Sequence, residues 1–108
     1  MSAIHPRPGD VLPLIPEIAE AQPGTLLIRA AHVEVFRLVL PRGKTLDEHR
    51  AAGAITIQCL SGRVEITALG KTQVMPAGTL IYLPDREPHA VTAIDDSLLL
   101  ISMWLRRK

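Results

Sequence analysis

Polar and apolar residues alternate with a period of two through most of the chain, the pattern of half-buried β-strands. The clearest run is Ala54-Ile55-Thr56-Ile57-Gln58-Cys59-Leu60. It places Ile55, Ile57 and Cys59 on one face and Thr56, Gln58 and Leu60 on the other. Ser61-Gly62 is a tight-turn pair, and Arg63–Leu69 then alternates again, which predicts a hairpin. Gly70-Lys71 turns into a short strand at Thr72–Met75, and Pro76-Ala77-Gly78 turns into Thr79–Leu83. Pro84–Pro88 leads into His89–Ile94, and Asp95-Asp96 into Ser97–Leu105. Upstream, Val33 and Val35 alternate with Glu34, and the run to Leu40 then becomes continuously apolar before a turn at Pro41–Lys44. That suits a strand with one buried face and a more deeply covered end.

Turns recur about every 8 to 12 residues, the spacing of an antiparallel sandwich or barrel. Residues 1–24 break the pattern and read as an irregular N-terminal arm, with residues 25–108 as the β-domain. The arm holds one candidate helical turn, Glu17-Ile18-Ala19-Glu20-Ala21, hemmed by Pro16 and Pro23. No internal repeat or low-complexity tract is present.

Composition narrows the classes. The chain has 108 residues, enough for one domain, and 47% of them are hydrophobic, which argues against disorder. Twelve Lys and Arg balance eleven Asp and Glu, so no basic field exists to hold a phosphate backbone. Phe36, Tyr82 and Trp104 are the only aromatics, too few for a base-stacking platform, and no nucleic-acid partner is expected. No apolar run is long enough to cross a bilayer, and the proline-broken start does not read as a signal peptide. No membrane partner and a cytoplasmic location follow as expectations. The single cysteine, Cys59, excludes an internal disulfide framework and a thiolate zinc cluster.

The candidate chemistry lies in the spacing of two histidines. Gly43-Lys44-Thr45-Leu46-Asp47-Glu48-His49 fits the start of G-x5-H-x-H-x3-4-E-x6-G, and Gly62 fits its closing glycine. Gly78, Pro84 and His89 fit a second pattern, G-x5-P-x-G-x2-H-x3-N. On these residues the chain resembles the cupin superfamily over roughly residues 33 to 103. The resemblance implies a small, single-domain RmlC-like protein with a double-stranded β-helix, or jelly-roll, barrel. It also implies a homodimer, for which the outward residues Thr56 and Gln58 are candidate seam positions.

The departures are specific. The second histidine of the first pattern falls on Ala51 and its glutamate on Ile55; the second pattern's central glycine falls on Arg86 and its asparagine on Ala93. Metal-binding cupins use three histidines and the glutamate, and this chain keeps His49 and His89 of those four. A catalytic divalent metal generally needs about three protein ligands, so the metal site reads as degenerate. Asp47, Glu48, Glu87 and Cys59 are the nearby groups that would have to make up the set. His49 and His89 also fit a plainer role, as hydrogen-bonded histidines in a sheet, while His5 and His32 read as solvated or surface residues.

Ile55, Ile57, Leu80, Tyr82, Val91 and Met103 are candidates for the barrel interior. The expected ligand pocket at the barrel mouth comprises His49, His89, Ile55, Ile57, Cys59 and Tyr82. Three functions fit this reading. One is a protein binding a small molecule in that pocket. A second is a metal-dependent dioxygenase, isomerase or decarboxylase holding Fe, Mn, Ni or Zn on His49 and His89. The third is a structural or sensory dimer module. The sequence does not name a ligand or substrate.

Overall fold

The computed structural model describes the backbone of residues 2–3, 6–15, 23–49 and 53–105, and the side chains of these except residues 2–3 and 47–49. Ten strands make up the regular structure, with no helix among the described residues. They are β1 (Ser2–Ala3), β2 (Gly24–Arg29), β3 (Val33–Leu40), β4 (Thr45–His49), β5 (Gly53–Ser61), β6 (Arg63–Ala68), β7 (Lys71–Pro76), β8 (Thr79–Leu83), β9 (His89–Ala93) and β10 (Ser97–Leu105). The expected all-β architecture is what forms. The candidate helical turn at residues 17–21 lies outside the described residues.

Two sheets carry the strands, one in the order β1-β2-β3-β10-β5-β8 and the other β4-β9-β6-β7. Short corner turns join β3 to β4, β5 to β6, β7 to β8 and β9 to β10. The smaller sheet therefore repeats the order β3-β10-β5-β8 partner for partner. Each of its strands lies across from the strand it is joined to, with the sheets about 10 Å apart. This is a jelly roll. Its two ends differ: one is closed by the four corner turns, and the other holds the starts of β3, β5 and β9 and the ends of β4, β8 and β10.

The predicted hairpin at Ser61-Gly62 is such a corner. β5 pairs with β10 and β8, whereas β6 pairs with β7 and β9 in the other sheet. Gly62 has φ +80°, and a Cβ there would strike the Asp96 carbonyl oxygen and the Ser97 side chain, so only glycine fits. The corner is fastened from the facing turn. Ser97 Oγ accepts from the Arg63 N–H at 3.1 Å, and Arg63 Nε donates to Asp95 Oδ2 at 2.7 Å.

Alternation places the core. β5 buries Gly53, Ile55, Ile57 and Cys59 and leaves the residues between them half-buried, while β6 buries Val64, Ile66 and Ala68. These meet Leu83, Val91 and Leu99 in one cluster, with Met103 packed against it. Each such side chain contributes roughly 1.5–3 kcal/mol by leaving water.

Register corrects two expectations. Met103 and Ile101 pair with Ile55 and Ile57 on β5 and with Glu34 and Phe36 on β3. Paired residues share a face, so Glu34, Phe36 and Leu38 point inward, and Val33 and Val35 point outward. On β8, Ile81 and Leu83 pair with Ile57 and Ile55, whereas Leu80 and Tyr82 pair with Gln58 and Thr56. Leu80 and Tyr82 thus leave the interior for the outer face, where they are 59% and 60% exposed.

The arm lies along the larger sheet. Ser2–Ala3 pairs in parallel with β2, and Arg37 Nη1 donates to the Pro13 carbonyl at 3.0 Å. Arg7–Asp10 form a turn closed by an Asp10 N–H to Arg7 carbonyl bond and by the Asp10 carboxylate on the Arg7 N–H.

Candidate functional site at the open end

His49 and His89 occupy directly opposed positions where β4 pairs with β9, and His89 is opposed on its other side by Ala68 of β6. The row His49–His89–Ala68 thus crosses the smaller sheet at the open end. Between Leu46 and His49 the β4 strand carries an irregularity, three steps against two on β9. This bulge breaks the simple alternation of β4 ahead of His49. The side chains of Asp47, Glu48 and His49 lie outside the described residues.

His89 is 2% exposed and shares the inward face of β9 with Val91 and Ala93. Its Nδ1 lies 3.1 Å from the Glu87 carbonyl oxygen. A carbonyl only accepts, so Nδ1 carries the proton and, in the neutral ring, Nε2 carries the lone pair. Glu87 therefore acts through its backbone. The loop that delivers it is pinned at two points: Glu87 N–H donates to the Pro84 carbonyl, and the Asp85 carboxylate accepts from Gly53 N–H at 2.8 Å. Arg86 stands in this loop at φ +63°. The turn requires the left-handed region where the family pattern has glycine, and Arg86 adopts it at a cost of roughly 1–2 kcal/mol.

The other predicted pocket residues separate. Ile55 faces the interior at the open end, but it and Ile57 are 2% and 1% exposed and form close-packed core. Cys59 is inward and buried, yet it sits three residues before the Gly62 corner, at the end remote from His89. Its Sγ lies 3.4 Å from the Ser61 carbonyl, and burial pushes its thiol up from the ordinary range. Tyr82 is on the opposite side of its sheet. The open end thus gathers His89, the backbone position of His49, and Ile55, without Cys59 and Tyr82.

Sequence reasoning missed Glu34. It opens an inward row that runs Glu34–Met103–Ile55–Leu83 across four strands of the larger sheet. Its side chain is 16% exposed and lies 3.5 Å from Nε of the exposed Arg29. The signal was present in the spacing Glu34, Phe36, Leu38, but the valines between them carry an equally good alternation. Arg29 also borders a cavity of ≈ 550 Å³ between the arm and β2, with Arg7, Asp10, Leu12 and Ile28 among its walls.

The family model described as "Cupin domain" matches residues 36–104, more than half of the chain. The chain belongs to the cupin family. None of the curated proteins matches it. A conserved protein of unknown function from Streptococcus pyogenes superposes on this cupin with a TM-score of 0.78 at 24% identity, over 100% of this chain and 98% of that one. An RmlC-like cupin family protein with a double-stranded β-helix fold, from Methanocaldococcus jannaschii, gives 0.76 at 16% identity, over 90% and 92%. A glycine-to-alanine mutant of salicylate 1,2-dioxygenase from Pseudoaminobacter salicylatoxidans gives 0.64 at 17% identity, over 67% of this chain and 21% of that one. At these identities the likeness is one of fold.

The family's four-donor metal set does not fit this cupin. Ala51 and Ile55 offer no donor atom at two of its positions, and no three His, Cys, Asp or Glu side chains cluster for a metal among the described residues. No chemical step through a family-type metal is therefore derived. No helix among the described residues is long and apolar enough to cross a membrane.

Proposed function

We propose that this cupin binds a small molecule at the open end of its sandwich, with His49 and His89 as the polar groups that orient it. The observation that carries this reading is the opposed pairing of the two histidines, one of them buried with its proton fixed on Nδ1. The bond to the Glu87 carbonyl holds the His89 ring inward at the open end, where a ligand hydroxyl or amide would meet it, and the partly buried Met103 supplies apolar wall. The reading is of a cytoplasmic protein.

The test is mass spectrometry of freshly purified, untagged protein under native conditions, beside His49→Ala and His89→Asn. The expected result is a small-molecule adduct on the wild type that both variants lose. An adduct kept by both variants would place the ligand elsewhere and defeat the proposal.

A second reading is favoured by the same hydrogen bond. A histidine that donates Nδ1–H to a backbone carbonyl has the arrangement metal-ligating imidazoles usually have. On that reading the protein is a metal-dependent enzyme of the dioxygenase, isomerase or decarboxylase type, with Fe, Mn, Ni or Zn on His49 and His89. The relevant measurement is elemental analysis of the same three preparations.

We also propose a homodimer through the outer face of the larger sheet. Leu80, Tyr82 and Trp104 are exposed there beside the half-buried Thr56 and Gln58. Across β8, β5 and β10 this face carries no charge, so a second copy meets it without repulsion.

A further inference from the structure

We propose that the cavity between the N-terminal arm and the end of β2 binds a small organic acid, a single carboxylate on an apolar body, with Arg7 and Arg29 holding the carboxylate. None of its wall residues belongs to the histidine row of the open end, so this is a second site.

The cavity holds ≈ 550 Å³. That is the size of a small-molecule site and far more than a lone ion or water fills. Its walls come from two pieces of chain, residues 6–10 and 12 of the arm and residues 28–30 at the end of β2. Pairing leaves the space between them open. β1 pairs with Thr25 and Leu26, and beyond Leu26 no described strand covers that edge of β2. A bulge between Leu26 and Ile28 then re-aims the strand. Leu26 opposes the inward Phe36, whereas Ile28 opposes the outward Val35. The extra residue, Leu27, is buried, and Ile28 comes out to the cavity wall.

The arm side of the cavity is held in place from within this chain. Upstream of the wall stretch, Ser2 and Ala3 pair with β2; downstream, Arg37 Nη1 donates to the Pro13 carbonyl. Between these anchors the Arg7–Asp10 turn is closed by its two hydrogen bonds, and Pro6 and Pro8 fix their own φ angles. A wall so organised loses little conformational freedom when a ligand enters.

The wall chemistry selects the ligand. Pro6, Pro8, Leu12 and Ile28 offer apolar surface. The charged wall residues are Arg7, Arg29 and Asp10, a net charge of +1 that one negative charge balances. Asp10 already accepts from the Arg7 N–H. No described residue accepts from the Arg7 guanidinium. Arg29 stands 3.5 Å from Glu34 at Nε, longer than the roughly 2.7–2.9 Å of a charge-assisted hydrogen bond. Each guanidinium is a planar fork that matches a carboxylate. A phosphate dianion would leave one charge uncompensated beside Asp10.

The experiment is an octanoate titration of the full ¹⁵N-labelled chain followed by its amide shifts, on the wild type, Arg7→Gln, Arg29→Gln and Lys71→Gln. Lys71 is exposed at the start of β7 in the other sheet and loses the same charge. 1-Octanol and octyl phosphate are titrated into the wild type, and circular dichroism verifies that each variant is folded. The expected result is saturable shifts at Gly9, Asp10, Ile28 and Ala30 with His89 unmoved. Arg7→Gln and Arg29→Gln each weaken octanoate roughly 10-fold or more, Lys71→Gln leaves it unchanged, and both other probes bind more weakly. Shifts at His89 in place of the arm would put the acid at the open end and overturn the second site. Octanol binding as well as octanoate, or both arginine variants binding like the wild type, would overturn the role of charge. Tighter binding of octyl phosphate would overturn the choice of a monoanion, and no saturable shift with octanoate or phenylacetate would overturn the site itself.

Discussion

At the scale of single residues, burial and hydrogen bonding separate the groups that carry chemistry from those that fill space. Cys59 is 1% exposed, at the closed end of the sandwich, with its thiol raised above the ordinary value of 9.0 by desolvation. A raised thiol favours the protonated folded state. Its contribution is therefore complete below the unfolded value and lost as pH rises through the folded one. Folded protein should resist thiol-specific reagents at pH 8 and react fully in denaturant. Denaturant midpoints should fall as pH climbs above about 9, and Cys59→Ala should flatten that fall. Rapid labelling of the folded protein would show that the thiol is open to solvent. His89 is the opposite case: it is as buried as Cys59, but its bond to the Glu87 carbonyl orients the ring for a partner.

At the scale of strands, the larger sheet presents two unlike faces, and register decides which residues belong to each. The outer face sets Leu80, Tyr82 and Trp104 beside Thr56 and Gln58, whereas the outer side of β6 carries Arg63, Glu65 and Thr67, all exposed. The uncharged stretch across β8, β5 and β10 predicts a dimer by light scattering at micromolar concentration, and Leu80→Lys with Tyr82→Lys should return a monomer. A wild-type monomer would contradict the proposed interface. The same register shows what the sequence could convey. β5 and β6 were legible because their alternation is clear: the large apolar residues Ile55, Ile57, Val64 and Ile66 lie on one side, with Thr56, Gln58, Arg63 and Glu65 on the other. β3 was not, because Val33, Val35, Phe36 and Leu38 are apolar on both faces, and only pairing with β10 turns Glu34 inward. Gly62 was legible as a turn, but a hairpin and a corner between sheets use similar local residues. The difference lies in the distant partners Asp96 and Ser97. His49 and His89 were legible through spacing alone. The bulge before His49 was not, since nothing in residues 46–49 records what β9 does opposite them.

At the scale of the whole molecule, the jelly roll turns residues far apart in sequence into one open end. Corner turns fix which strands face each other, so β3 and β10 bring Glu34 and Met103 across from the strands that carry His49 and His89. The arm adds a strap on the outer side, held by Arg37 on the Pro13 carbonyl. The central claim is that the fold joins His49 and His89 into a single site, and a nuclear Overhauser spectrum of the histidine ring protons tests it most directly. The account predicts a cross-peak between the His49 and His89 rings, with His89 as the Nδ1–H tautomer. Rings without a mutual cross-peak, or His89 protonated on Nε2 instead, would contradict it.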